Sequence, residues 1–472
     1  MMIVLFFSQK NSFFSYICNK LSVMKYQTVR ILLAVSLLTI AQAIWAQEVK
    51  EDVKEEEKTN QLTVDVNLMS RGEARDGGFP ITTEQKVEDH SAFISNRVRL
   101  LVGYESNNLA VKVTAQHSGV WGAEGGGKFN VYEAWAHLKA NNGLFARIGR
   151  QELVYDDERI LGNNDWAMAA LYHDALKVGY ENHGHKLHAV VAYNQNSKNV
   201  NGGTFYQNGS QIYKTMQTVW YHYDVPKLPL SASLLFMNIG MQSGTEEEYA
   251  TNFQQLIGGY VNYKPGNLTL EAAYYHQMGK ASLDYTTTGT LPINAWMAAG
   301  KASYQFNKQL TAYAGYDYLS GDKEFVVPKQ GTIGLTKHSK MSAFTTTFGS
   351  THKFYGAMDF FYVSAYFGTF SPGLQNIFGG ATYKPVKGLS LDASYHYLAT
   401  STALNELSKT LGHEIELRAS YQLMKDARIS LGFSYMKGTD TMEELKRSSE
   451  NKKLQWGWLM LNVSPRVFYS KW

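Results

Sequence analysis

The sequence predicts an all-β chain folded as one antiparallel transmembrane β-barrel of about 18 strands, with short periplasmic turns and long extracellular loops. Three observations predict it. From Leu62 to Val463, segments of about ten residues alternate apolar with polar side chains, as a strand does when one face meets lipid and the other water. Aromatic residues make up 13% of the chain, 31 of them tyrosines, and they gather at segment ends, where a membrane barrel places its interfacial girdles. Tight turns and long polar connections also alternate without a break.

The alternation is explicit in the first hairpins. Leu62, Val64, Val66 and Leu68 share one face. Val98, Leu100, Val102 and Tyr104 share the next, with Arg97 and Arg99 opposite them. A tight link at 105–107 leads to Leu109, Val111, Val113 and Ala115, with Lys112, Thr114 and Gln116 on the other side. Similar links are expected at 141–143, 181–184, 226–229, 264–266, 307–308, 385–388 and 424–425. Between them lie long connections at 71–91, 118–127, 153–171, 196–212, 242–251, 279–292, 321–373, 399–410 and 438–453. Eight short links alternating with nine long ones require 18 strands, an even number that puts both ends on one side. The last strand is expected at Leu454–Val463, and the chain's final aromatic, Trp472, resembles the C-terminal signal read by the barrel-assembly machinery.

Ahead of the barrel, residues 1–46 read as a leader whose signal peptide starts at Met24. Lys25 and Arg30 supply its positive region, Ile31 to Ile40 its apolar core, and Ala41, Ala43 and Ala46 its small residues. That core is short for the roughly 20 residues of a spanning helix. Cleavage after Ala46 would leave Gln47 first, followed by a charged periplasmic lead-in, 47–60, and the barrel itself, 61–472. The leader takes Lys10, Lys20, Lys25 and Arg30 with it, so 45 Lys+Arg fall to 41 and match the 41 Asp+Glu. Without a basic excess, nucleic acid loses its electrostatic argument. The single cysteine, Cys18, also leaves with the leader, so neither a disulfide nor a thiolate metal site is expected.

Residues 147–166, RIGRQELVYDDERILGNNDW, followed by His173, Asp174, Ala175 and Leu176, resemble the alginate export family of outer-membrane channels. YDYLSGD at 316–322, GSTHKFYGAMD at 349–359 and LGHEIEL at 411–417 extend the resemblance over most of the chain. It implies an 18-stranded porin-like barrel in the outer membrane of a Gram-negative bacterium. The best-known role in the family is export of the polyuronate alginate through an arginine-rich pore.

If apolar strand members face lipid, the opposite members line the lumen and their charges set selectivity. Candidates on that logic are Arg97, Arg99, Lys112, Arg147, Lys301, Arg418 and Arg428, together with Glu133, Glu271, Asp392, Glu414 and Glu416. This is a mixed lumen, in which the charges serve either selectivity or cross-lumen ion pairing. Within the family motif, Asp156, Asp157, Glu158 and Asp165, beside Arg159 and Trp166, are expected on an external loop. The four carboxylates could take calcium, but their spacing matches no calcium loop; a solvated loop or a knot with Arg150 and Arg159 is preferred, and no metal is assigned. In the connection 321–373, the apolar residues Phe354, Tyr355, Phe360, Phe361 and Tyr362 call for burial, either inside the barrel or on its rim.

Chemistry is sparse. Gly122 to Lys128 resembles a phosphate-binding loop, but Phe129 stands where Ser or Thr is required. The thirteen histidines show no paired metal spacing, and no serine sits in a nucleophile elbow. The expected function is a channel, without cofactor or chemical step, passing small hydrophilic or anionic solutes, oligosaccharides included. A dedicated polyuronate exporter with periplasmic export partners is the alternative, and a barrel enzyme the disfavoured third reading. Outer-membrane lipid is an expected partner and nucleic acid is not.

Overall fold

A computed structural model describes residues 60–76, 90–197, 200–207, 209–282, 288–323, 339–359, 371–404, 406–446 and 453–472. The leader, most of the charged lead-in, and Phe360, Phe361 and Tyr362 lie outside the described residues.

The strands run β1 Gln61–Asp76, β2 His90–Glu105, β3 Leu109–Val120, β4 Lys128–Lys139, β5 Leu144–Gln151 and β6 His173–Asn182. They continue as β7 His185–Tyr193, β8 Thr215–Asp224, β9 Leu230–Gly244, β10 Tyr249–Tyr263, β11 Leu268–Ser282 and β12 Thr290–Gln305. Last come β13 Leu310–Leu319, β14 Leu374–Tyr383, β15 Leu389–Ala399, β16 Thr410–Met424, β17 Ala427–Gly438, β18 Lys453–Val463 and β19 Arg466–Lys471. From β1 to β18 each pairs antiparallel with its sequence neighbour, and β1 closes the ring by pairing with β2 on one side and with β18 and β19 on the other. Closure follows from the solvent: lipid offers backbone N–H and C=O groups no partner, so an open edge is not tolerated.

β18 and β19 are one stave of the 18-strand barrel. Pro465 cannot donate to the ladder, so strand assignment lapses between Val463 and Arg466, but the register with β1 is kept there, Val66 N–H donating to the Pro465 carbonyl at 3.0 Å; a bulge at Val467 then shifts it between Val64 and Asp65. The stave therefore runs beyond the Val463 expected from the alternation. All eight short links and nine long connections are present, but β1 runs to Asp76 and β9 and β10 leave only 245–248 between them. Both extensions were hidden because the outward positions there, such as Gly72, Ala74 and Gly240, are small and carry no apolar alternation.

Outward faces keep their apolar residues exposed: Leu100, Val113, Leu234, Ile257, Leu417, Leu431 and Leu459. No described helix is long and apolar enough to cross a membrane; crossing falls to the strands. A bulge between β3 and β4 absorbs one residue, Tyr132, and keeps Glu133 opposite Thr114.

Candidate functional site

All twelve lumen candidates lie on the strand face opposite the exposed apolar side chains, and most of their charges are matched locally. Lys112 pairs with Glu133 at 2.5 Å, Lys301 with Glu271 at 3.5 Å and Arg418 with Asp392 at 3.6 Å. Arg147 donates to His137 Nδ1 at 2.8 Å and lies over the Trp135 ring. Arg428 donates to Gln422, and Ser394 donates to Glu416. Glu414 is buried and accepts the backbone N–H of Met358 at 2.9 Å.

The connection 152–172, expected outside, turns into the barrel, where the inward polar wall offers its backbone more partners than the rim does. Arg97, 1% exposed, and Arg99 both bind Asp165, at 3.0 and 2.7 Å. Arg97 also donates to the carbonyls of Asp165 and Ala167, Arg71 to that of Trp166, and Gln116 to that of Ala169. Three strands thus hold the run 165–169 by its backbone. Arg71, paired with Glu73 and lying over the Trp166 ring, was missed because it fell in an expected loop.

The acidic cluster does not converge. Asp156 accepts from Trp220 and Ser233 and from the Tyr275 hydroxyl; Asp157 binds Arg159; Glu158 accepts from Ser350 and Lys353. Among the described residues, no three His, Cys, Asp or Glu side chains are grouped to hold a metal ion. Arg150 stays out of the expected knot, gripping Asp174 with two hydrogen bonds of 2.8 and 2.9 Å on the outward parity.

A second inward segment, 339–359, meets the first. Leu161 bridges Phe348, and glycine is required on both sides: a Cβ at Gly162 would strike Ser350 Oγ, and one at Gly349 the Arg159 carbonyl. Arg159 joins the two segments to the wall. Its guanidinium binds Asp157 at 3.1 Å, Asp317 of β13 at 3.1 Å and the Tyr355 hydroxyl at 2.9 Å, and lies 4.0 Å from the Phe354 ring centre. His352 stacks on Trp166 at 4.0 Å. Tyr355 is accordingly buried inside the barrel. The four motifs that carried the resemblance meet here, through Arg159, Asp317, Tyr355 and Glu414.

Burial raises the Asp156 carboxyl pKa above the ordinary aspartate value, against the lowering effect of hydrogen bonds from Ser233 and Trp220. With the folded pKa above the unfolded one, this group's contribution is complete below the ordinary carboxylate range and is lost as pH rises through the raised value. Asp156→Asn should remove that part of the pH dependence, read as hydrogen-exchange protection of 156–161 as pH rises from the ordinary carboxylate range. A slope equal to that of the unaltered chain would count against it.

Below the knot, toward the tight-turn end, a cavity of about 1290 Å³ reaches from Trp166 and Trp458 to the turns at 384–388 and 425–426. Among the described residues Lys384, Lys387, Arg418, Lys425 and Arg428 line it, against Asp392 and Asp426 alone as carboxylates. Of these, the sequence reading had singled out Asp392, Arg418 and Arg428; the turn lysines belong to no strand alternation.

Residues 127–454 match the model of a family described as alginate export. Among solved structures, the chain is similar to Pseudomonas aeruginosa OccK2 (OpdF) in complex with glucuronate, at TM-score 0.57 and 12% identity over 86% of this chain and 98% of that one. Acinetobacter baumannii OccAB1 aligns at TM-score 0.57 and 13% identity, covering 86% and 97%. A BenF-like porin from Pseudomonas fluorescens Pf-5 aligns at TM-score 0.56 and 13% identity, covering 86% and 99%. At such identities the likeness carries the fold alone. A search of the curated proteins found no match.

Proposed function

The chain belongs to the alginate export family and is an outer-membrane channel, and from that premise we propose that it passes small anionic or hydrophilic solutes, oligosaccharides among them. The observation that carries the reading is the cavity at the tight-turn end, with five cationic side chains against two carboxylates. A wall of that sign concentrates anions where the path is still wide, ahead of the knot. Above it, the inward segments 152–172 and 339–359 set the width. Porin-like family and barrel speak for passage rather than turnover.

The site favours Gram-negative outer membrane, with the tight turns in the periplasm. A salt-gradient reversal potential, measured on the refolded barrel in a planar bilayer, tests the reading. Anion preference is expected, and glucuronate, the ligand of one structural neighbour, is the first monomer to try as competitor. Cation preference would sink the anionic reading and leave a general porin.

A dedicated polyuronate exporter is the second reading, favoured by the family itself and by the same cavity, which could receive a polyanion from a periplasmic export partner. Arg97 and Arg99 are engaged with Asp165 and Arg418 with Asp392, so the cations this reading offers a polymer are Lys384, Lys387, Lys425 and Arg428 of the cavity, with Arg147. Polyuronate oligomers added from the tight-turn side should then block the current more strongly than neutral oligosaccharides of equal length.

A further inference from the structure

The barrel wall is uneven at its long-loop end. β11, β12 and β16 have 15, 16 and 15 residues, whereas β13 and β14 between them have 10 each. Above β13 the neighbouring position on β12 is filled by a loop segment: Met341 bridges Ile293, with Asn294 N–H donating to the Met341 carbonyl and Met341 N–H to that of Pro292, both at 2.9 Å. Met341 and Ile293 are buried, so Lys340 and Ser342 take the outward parity of Pro292 and Asn294.

On that outward side lies a cavity of about 870 Å³. Trp296 and Tyr318, stacked at 4.7 Å and 20°, form part of its wall, and Tyr274 continues the stack at 6.3 Å. Lys323, Lys340 and Lys409, all exposed, stand around it. Among the described residues Asp322 is its only acidic lining residue, and both of that carboxylate's oxygens accept backbone N–H groups, from Ser342 and Ser371. An aromatic girdle alone accounts for tryptophan and tyrosine at a membrane interface. It does not account for a notch in the strand wall with three lysines gathered over stacked rings.

We propose that this notch binds the phosphorylated sugar headgroup of an outer-leaflet glycolipid. The lysines supply point charges for phosphate, the aromatic faces stack against sugar, and the exposed apolar wall beneath receives the acyl chains. The assignment rests on the outer-membrane reading, because only there does such a lipid face the long-loop end of the barrel. It concerns the outside of the wall and uses no residue of the solute path.

The test is native mass spectrometry of the full barrel in non-ionic detergent, titrated with an acylated, diphosphorylated glucosamine disaccharide. The dephosphorylated lipid and phosphatidylglycerol serve as comparisons. Retention of the diphosphorylated lipid over both comparisons is expected, with binding on the order of 100-fold weaker in Lys323→Gln/Lys340→Gln/Lys409→Gln. Because Lys409 also donates to the Ser401 carbonyl, Lys340→Glu alone provides a second variant whose fold is not in question. Equal binding by the unaltered and substituted chains would overturn the proposal, as would equal retention of phosphatidylglycerol. So would self-association through Trp296 that survives the lysine changes, which would assign the notch to a second copy. Planar-bilayer conductance of the same samples keeps the outcomes separate: lost lipid binding with normal conductance defeats this inference alone, and absent conductance defeats the channel reading.

Discussion

Arg159→Met should unlatch both inward segments at once and raise single-channel conductance while the strand ladder stays intact. The guanidinium is buried and serves Asp157, Asp317 and Tyr355 together. Methionine fills similar space but leaves Asp317, 2% exposed, with an uncompensated charge. Removing one partner of a buried ion pair costs about 3–5 kcal/mol. That is enough to release loops, whereas the barrel is held by 18 staves of backbone hydrogen bonds. Arg159→Lys should recover only part of the effect, because a single ammonium cannot reproduce a planar fork spread over three acceptors. Conductance in planar bilayers and protease sensitivity of 152–172 are the readouts. If both match the unaltered chain, Arg159 does not hold the knot.

Asp165→Asn should loosen the run 165–169 and make the channel more anion-selective. Asp165 is the carboxylate shared by Arg97 and Arg99, so neutralising it removes their common counter-charge and leaves two unpaired guanidiniums on the lumen wall. Its own side chain is 48% exposed, which screens the pair. The loss is accordingly put at about 1.5–3 kcal/mol, the range for hydrogen bonds to charged groups, with the lower end expected. Arg97→Gln/Arg99→Gln should move the reversal potential the opposite way. Shifts of the same sign in the two variants would remove these residues from any account of selectivity.

Both predictions rest on contacts that strand alternation could not reveal. The alternation did place the twelve lumen candidates on one parity, because a strand's side chains face alternate sides and lipid tolerates only one kind of face. It faltered where that contrast faded: at Arg71 to Asp76, where Gly72 and Ala74 face outward, and beyond Val463, where Pro465 breaks the donor ladder and a bulge at Val467 shifts the register. Cavity lysines at 384, 387 and 425 escaped for a related reason. Turn residues have no period to read.

Within the inward segments, composition signalled burial without saying where. Phe354 and Tyr355 demanded an apolar site, and the acidic run 156–158 demanded partners, but the same demands suit a rim, a solvated loop or a plug. The Arg159–Tyr355 and Glu158–Ser350 contacts join residues 196 and 192 positions apart. Such pairing depends on the barrel first bringing the two connections to a common lumen.

What the sequence by itself determined was the class, the count and, wherever the alternation is legible, the parity: an 18-stave antiparallel barrel whose charged strand residues oppose the apolar face. These follow from local periodicity and from the rule that lipid permits no open edge. Only the tertiary structure decided that two long loops turn inward and lock through Arg159, that Asp165 bridges Arg97 and Arg99, and that the excess of cationic lining lies below the knot. The physical reason is range: alternation is enforced residue by residue by the two solvents, whereas buried charges are matched by whichever partners the closed wall brings within reach.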